Sequence, residues 1–206
     1  RLDPAASRSA RLIAPDMLDT ELRKLVEPAL DALARPLEAR GITADQVTLA
    51  GFGIGILAVP LLALEAYYLA LGLILLNRLA DGLDGALARR RAPSDFGGFL
   101  DILCDFVFYA AVPLGFALAR PEDNALAALF LCVSFVGTGT SFLAYAALAA
   151  KRGLAASARR SLTYLGGLTE GFETIVFFTA ACLWPEYFVW LAIGFGLMCW
   201  ATVAFR

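Results

Sequence analysis

Asp81, Asp84, Gly85, Ala88, Arg89, Gly97, Asp101 and Asp105 stand at helical spacing in the middle of a chain that otherwise reads as membrane. A carboxylate inside a membrane segment costs several kcal/mol unless it is paired or metal-bound, so four of them on two neighbouring segments need a compensating positive charge. Those segments carry few cationic side chains. Hard divalent cations take oxygen ligands and are commonly held by carboxylates, which makes a metal the natural compensator. Asp81 and Asp84 are three residues apart and Asp101 and Asp105 four, so each pair occupies one face of its helix and the two helices present four carboxylates to each other. Gly85 and Ala88 continue the first face without bulk, leaving room for a ligand or a facing helix. Arg89 adds a planar fork of donors suited to a phosphate. Close helix packing in lipid is the competing use for each glycine taken alone.

The elements that must position these residues are helices in a bilayer. The chain has 206 residues, of which 60% are hydrophobic, and a mean hydropathy of +0.71. Soluble domains hold roughly 45–50% apolar residues, so an all-α integral membrane protein is expected. Six apolar stretches approach the ~20 residues needed to span a bilayer. They lie near 47–64, 67–86, 98–119, 125–149, 162–183 and 186–204. Lys and Arg concentrate before the first stretch, at Arg89 to Arg91 and between Lys151 and Arg160. The positive-inside rule then puts these connectors, both termini and the aspartate cluster at the cytoplasmic face of a multi-pass inner-membrane protein.

Residues 1–42 form a separate juxtamembrane segment ahead of a six-helix domain at 43–206. In it Leu18, Leu22, Leu25, Ala29, Leu33 and Leu37 recur at three- and four-residue steps among charged residues. This is the pattern of an amphipathic helix, either lying on the membrane surface or docked on its own bundle or a partner. Pro28 and Pro36 are expected to bend or break it. The chain begins at Arg1 rather than Met, and no cleavable signal pattern is visible at its front.

Composition also excludes functions. The formal charge of -2 argues against nucleic acid as a partner, which calls for a strongly basic face. There is no histidine, so imidazole acid–base chemistry and histidine metal sites are ruled out. Cys104, Cys132, Cys182 and Cys199 are far apart and lie in apolar stretches, which reads as packing.

The pattern D-x2-D-G-x2-A-R-x7-G-x3-D-x3-D resembles the signature of the CDP-alcohol phosphatidyltransferase family, whose members are six-helix membrane enzymes. Two features depart from the family. The connector between Arg89 and Gly97 is one residue shorter than usual, and Ala44-Asp45 stands where Pro-Asn is common before the Thr that is Thr48 here. The resemblance implies that Asp81, Asp84 and Asp101 bind two divalent ions, Mg²⁺ or Mn²⁺, with Asp105 as a further ligand and the catalytic base. It places the CDP moiety against Thr48, Gly85, Ala88, Arg89 and Gly97. Two divalent ions against four carboxylates give a formally neutral site. The implied reaction moves the phospho-alcohol group of a CDP-alcohol, such as CDP-diacylglycerol, to a small polar alcohol and releases CMP, a step of phospholipid biosynthesis.

Acceptor contacts are carried by less of the sequence. Lys151, Arg152, Arg159 and Arg160 could bind an acceptor phosphate, or serve as topology determinants and lipid headgroup contacts. Glu170 and Glu173 either face the polar cavity and meet acceptor hydroxyls or pack against Arg78 or a backbone donor. Asp95 reads as a helix-start residue. A cation or solute transporter is the alternative from a different class, since intramembrane acids also line ion pathways. The ordered Gly85, Ala88 and Arg89 favour the enzyme, because a nucleotide diphosphate needs metal, room and a cation together. The small-residue faces permit a homodimer.

Overall fold

The computed structural model describes residues 16–91, 94–152 and 171–206, with side chains from residue 26 onward. Every regular element among them is helical: α1 (Asp16–Ala39), α2 (Ala44–Ile56), α3 (Ala58–Ala63), α4 (Tyr67–Arg90), α5 (Asp95–Ala119), α6 (Pro121–Lys151), α7 (Gly171–Leu183), a short 3₁₀ turn (Pro185–Tyr187) and α8 (Phe188–Phe205). Among the described residues, four stretches are long and apolar enough to cross a bilayer, Ala44–Ala63, Asp95–Ala119, Pro121–Lys151 and Pro185–Phe205. Helix α4 has the length, 24 residues, but carries Arg78, Asp81, Asp84, Arg89 and Arg90. The described part of α7 is 13 residues and begins where description resumes.

Local chemistry explains the element ends. Thr43 caps α2 through a reciprocal bond pair with Gln46, a capping box that satisfies two amides otherwise left without partners. The first apolar stretch is interrupted at Leu57, because Pro60 has no N–H to donate to the Ile56 carbonyl one turn back. Helices α1 and α3 close alike: Ile42 N–H donates to the Leu37 carbonyl, and Ala66 N–H to the Leu61 carbonyl. The left-handed position in these turns is held by Gly41 in one case and by Glu65, at φ 58°, in the other. Ser94 caps α5 by accepting the Gly97 N–H at 2.9 Å, with Asp95 in the first turn as a helix-start residue.

Two expectations need correction. Helix α1 continues through Pro28 and Pro36 without a break. Both prolines lie on its exposed side, where a carbonyl without an amide partner can be solvated. Helix α4 runs on to Arg90 and α5 starts at Asp95, so Arg89 and Gly97 belong to helices and the connector between them is shorter than expected. On the docking of α1, its Leu30, Ala34 and Leu37 pack against Ala86 and Leu87 of α4. Arg90 Nε adds a 2.6 Å ion pair to Glu38.

The core is built largely from rings. Phe116 stacks on Phe188 at 4.3 Å and Phe177 on Phe195 at 4.7 Å, while Phe108 meets Phe178 edge-on at 6.0 Å. Lipid is as apolar as these side chains, so packing and dispersion hold such helices together. Helix α2 reaches α4 by small residues. A Cβ at Gly51 would lie 2.5 Å from Ala80 Cβ, and one at Gly55 would lie 2.9 Å from Asn77 Cγ. This G-x3-G spacing sets the distance between the helix that carries Thr48 and the helix that carries the first aspartates.

Candidate active site

Helices α4 and α5 bring their acidic faces together at the end of the bundle where α1 and the start of α2 also lie. Carboxylate oxygens of Asp81, Asp84 and Asp101 all fall within 4.8 Å of one another. Asp84 is buried at 6% exposure and accepts the Thr48 hydroxyl at 2.5 Å. The same hydroxyl sits 3.1 Å from the Ala44 carbonyl, which steers it from within its own helix. Three hard oxygen donors at this separation suit a divalent ion of the Mg²⁺ or Mn²⁺ type, and a small void of about 10 Å³ lies among Asp81, Asp84, Asp101 and Asp105.

Asp105 stands apart from that three-carboxylate group. Its Oδ1 accepts Arg78 Nη2 at 2.8 Å, and Arg78 Nη1 is 3.7 Å from Asp81. A cation inside the cleft therefore supplies part of the compensation assigned above to metal. Four carboxylates still face one guanidinium, so the need for further positive charge remains. Arg78 is 8% exposed. Its Nε and Nη2 both donate to Asn77 Oδ1, at 2.9 and 2.6 Å, and Nη1 donates to the Tyr109 hydroxyl at 3.2 Å. Asn77 is anchored in turn by donating to the Gly51 carbonyl at 2.9 Å. Asp105 is 29% exposed, so this pair is only partly desolvated, and Asp81, Asn77 and Tyr109 also partner Arg78.

Beside the carboxylates opens a cavity of about 300 Å³. Thr48, Gly85, Ala88 and Gly97 line it, together with Asp84 and Asp101. Arg89 does not line it; the guanidinium instead lies over Gly85, 3.3 Å from where a Cβ would be. Arg91 takes the lining position, and its Nη2 donates to the Glu38 carbonyl at 3.1 Å, which ties the cavity rim to α1. Thr43, Asp45 and Ser94 also line the cavity, and motif reasoning did not single them out. A Cβ on Gly97 would come 2.9 Å from Asp45 Oδ1 and 3.0 Å from Ser94 Oγ, so this glycine lets the starts of α2 and α5 meet. Their signals were present in the capping residues Thr43 and Ser94.

The acceptor candidates separate. Lys151 and Arg152 end α6 and are exposed. Arg159, Arg160 and Glu170 lie outside the described residues. Glu173 borders a groove of Phe172, Val176, Phe177, Trp190 and Met198 between α7 and α8, and lines neither the aspartate cleft nor the cavity beside it. A second cavity of about 270 Å³ lies on the other side of Tyr109, lined by Phe106, Phe135, Thr138, Phe142 and Arg206 among others. Arg206 Nη1 donates to the Thr138 carbonyl at 3.0 Å and to Ser141 Oγ at 3.2 Å.

A sequence model of the CDP-alcohol phosphatidyltransferase family matches residues 42–204. The chain is 57% identical over 192 residues to inner membrane protein YnjF of Escherichia coli, covering 92% of this chain and 93% of that one. It is 29% identical over 182 residues to archaetidylinositol phosphate synthase of Methanothermobacter thermautotrophicus, covering 86% of each. Among solved structures, phosphatidylinositol phosphate synthase PgsA1 of Mycobacterium tuberculosis with CDP-DAG bound superposes with a TM-score of 0.62 at 26% identity, covering 85% of this chain and 88% of that one. The same enzyme has been solved in complex with manganese and citrate. The transporter alternative falls with these matches, and the chain belongs to the CDP-alcohol phosphatidyltransferase family.

Proposed function

We propose that this chain transfers the phosphatidyl group of CDP-diacylglycerol to the hydroxyl of a small polar acceptor and releases CMP. The observation that carries the reading is the convergence of Asp81, Asp84 and Asp101 within 4.8 Å at the edge of a cavity large enough for a nucleotide headgroup. Asp81, Asp84 and Asp101 are the ligands of two divalent ions, with Asp105 completing the set. Bound ions of this kind would supply Lewis-acid neutralisation of the diphosphate and ease the departure of CMP. Gly85, Ala88 and Gly97 admit the nucleotide by their lack of bulk, and Thr48 holds Asp84 in place. Arg91 offers donors to phosphate oxygens at the rim, and Arg89 is a further donor from its place over Gly85.

The acceptor oxygen forms a bond to the phosphorus next to the lipid alcohol as the bond from that phosphorus to CMP breaks. Its proton passes to Asp105. Tyr109, which lines the second cavity, shares the Arg78 guanidinium with Asp105, and Arg206 lines the same cavity, which supports it as the acceptor's approach. The names of the archaeal relatives and of the mycobacterial neighbour favour an inositol phosphate among phosphorylated polyols. Lys151, Arg152, Arg159 and Arg160 then draw the anionic acceptor to the same face, and Glu170 and Glu173 remain further candidates for it.

In the membrane the chain makes six crossings, with α4 and the α7 region added to the four apolar spans. Residues 43–206 are the catalytic domain, and residues 1–42 form an amphipathic segment along the cytoplasmic surface. Both termini and the aspartates face the cytoplasm of an inner membrane. Exposed Trp184, Tyr187 and Trp190 at the opposite end fit a membrane boundary there, and Arg89, Arg90 and Arg91 beside the aspartates support the cytoplasmic side. Two chains pair as a homodimer through small-residue faces. The test is CMP release by detergent-solubilised protein from CDP-diacylglycerol, with Mg²⁺ or Mn²⁺ and a panel of polyols and polyol phosphates. Release that needs both a divalent ion and one acceptor supports the reading; release that needs neither overturns it.

A further inference from the structure

We propose that Arg78, which lies outside the family motif, is a positioning residue that fixes the carboxylate of Asp105 for catalysis. This rests on the reading of Asp105 as the base. Arg78 is not a loose counter-ion. Its guanidinium is held on three sides: Asn77 Oδ1 takes Nε and Nη2, the Tyr109 hydroxyl takes Nη1, and the ring of Phe108 lies 4.8 Å from Cζ. Asn77 is pinned to the Gly51 carbonyl, and no side chain larger than glycine fits at Gly55 without displacing Asn77 or Phe108. The chain of contacts thus runs from the backbone of α2 through Asn77 and Arg78 to Asp105 on α5.

One oxygen of Asp105, Oδ1, is bound to Nη2 at 2.8 Å. With that oxygen fixed, the direction of the other is set from α4 and not by rotation of the aspartate alone. A base must meet its proton within hydrogen-bond reach, and a displacement of about 1 Å costs on the order of a hundredfold in rate. A planar fork is needed for this task, because it can hold two acceptors at fixed angles while a lysine ammonium supplies charge without that geometry.

The charge and the geometry are separable by substitution. Arg78→Lys keeps the cation and loses the fork, and Arg78→Gln loses both. We expect Arg78→Lys to lower kcat by roughly a hundredfold, with KM for CDP-diacylglycerol close to wild type and the Mn²⁺ affinity read by electron paramagnetic resonance shifted far less than kcat, since three of the four carboxylates stay in place. In an Asp105→Asn background the same change should cause no further loss, since there is no base left to position. Wild-type kcat in Arg78→Lys overturns the proposal, as does a loss that adds in full to that of Asp105→Asn. A shift in Mn²⁺ affinity as large as the change in kcat overturns it too, by making Arg78 a metal-site residue. Should Arg78→Gln fail to fold, Arg78→Lys and the double variant still decide. Normal turnover in Asp105→Asn alone defeats the base reading instead, so the two failures are distinguishable.

Discussion

At one end of the α4–α5 pair, Asp81, Asp84, Asp101 and Asp105 gather around Arg78 and Asn77; at the other, Phe116 stacks on both Tyr67 and Phe188. The same two helices build both ends, from opposite materials. The ring end fills volume with groups that ask nothing of their surroundings but contact. The acidic end holds groups that are costly in a bilayer and persist there because each has a partner in the protein or can be neutralised by an ion. Rigid packing at one end therefore anchors helices whose other end carries a surplus of negative charge. Stability and chemistry are expected to divide along the same line.

Substitutions can break or sharpen that division. The largest effect is expected at the acidic end, where Asp105→Asn should lower the rate of CMP release about 10²–10⁴-fold, as loss of a general base does. Donor binding and thermal stability should survive. At the ring end, Phe116→Ala should cost about 3–5 kcal/mol of stability through the cavity it leaves, read as a lower melting temperature in detergent. Turnover per folded molecule should be unchanged, and a kcat lost without a change in melting would break the division. Gly55→Leu lies at the boundary, against both Asn77 and Phe108. Overpacking there should cost about 1–3 kcal/mol and, through Asn77, lower kcat as well.

The smallest effect lies in the turns at the ring end. Arg120 donates to Glu65 at 2.6 Å, and this hydrogen bond holds the Glu65 carboxyl below its ordinary pKa. A carboxylate lowered in the folded state adds stability above its unfolded pKa and loses that contribution as pH falls through the lowered value. Wild type should melt slightly above Glu65→Gln at neutral pH, and the gap should close on acidification below about pH 4. A gap independent of pH would assign it to the backbone at Glu65 instead.

Much of the acidic end was legible in the sequence, because aspartates are rare in apolar runs and their three- and four-residue spacing fixes a common face. Gly85 and Ala88 followed from the same periodicity, and Thr48 and Gly97 from the family pattern. What spacing cannot give is the partner across the bundle. Arg78 stood out as a charge in a span, yet its bond to Asp105 bridges 27 positions between two helices. Asn77 had no local signal, since its role depends on the Gly51 carbonyl of another helix. Local rules misjudged α1 because a proline's missing amide matters less on an exposed face. They left two orientations of Glu173 open, because helical phase, which decides what a side chain faces, needs the neighbouring helices to be known. The break at Leu57 was readable from Pro60, and the cavity residues Thr43 and Ser94 from their capping patterns.

Binding of Mn²⁺ to the solubilised protein, followed by electron paramagnetic resonance in wild type and in Asp84→Asn, tests the central claim most directly. Wild type should take up Mn²⁺, and Asp84→Asn should lose roughly tenfold or more in affinity while remaining folded. Superimposable titrations for the two proteins would contradict the account, because Asp84 would then hold no metal.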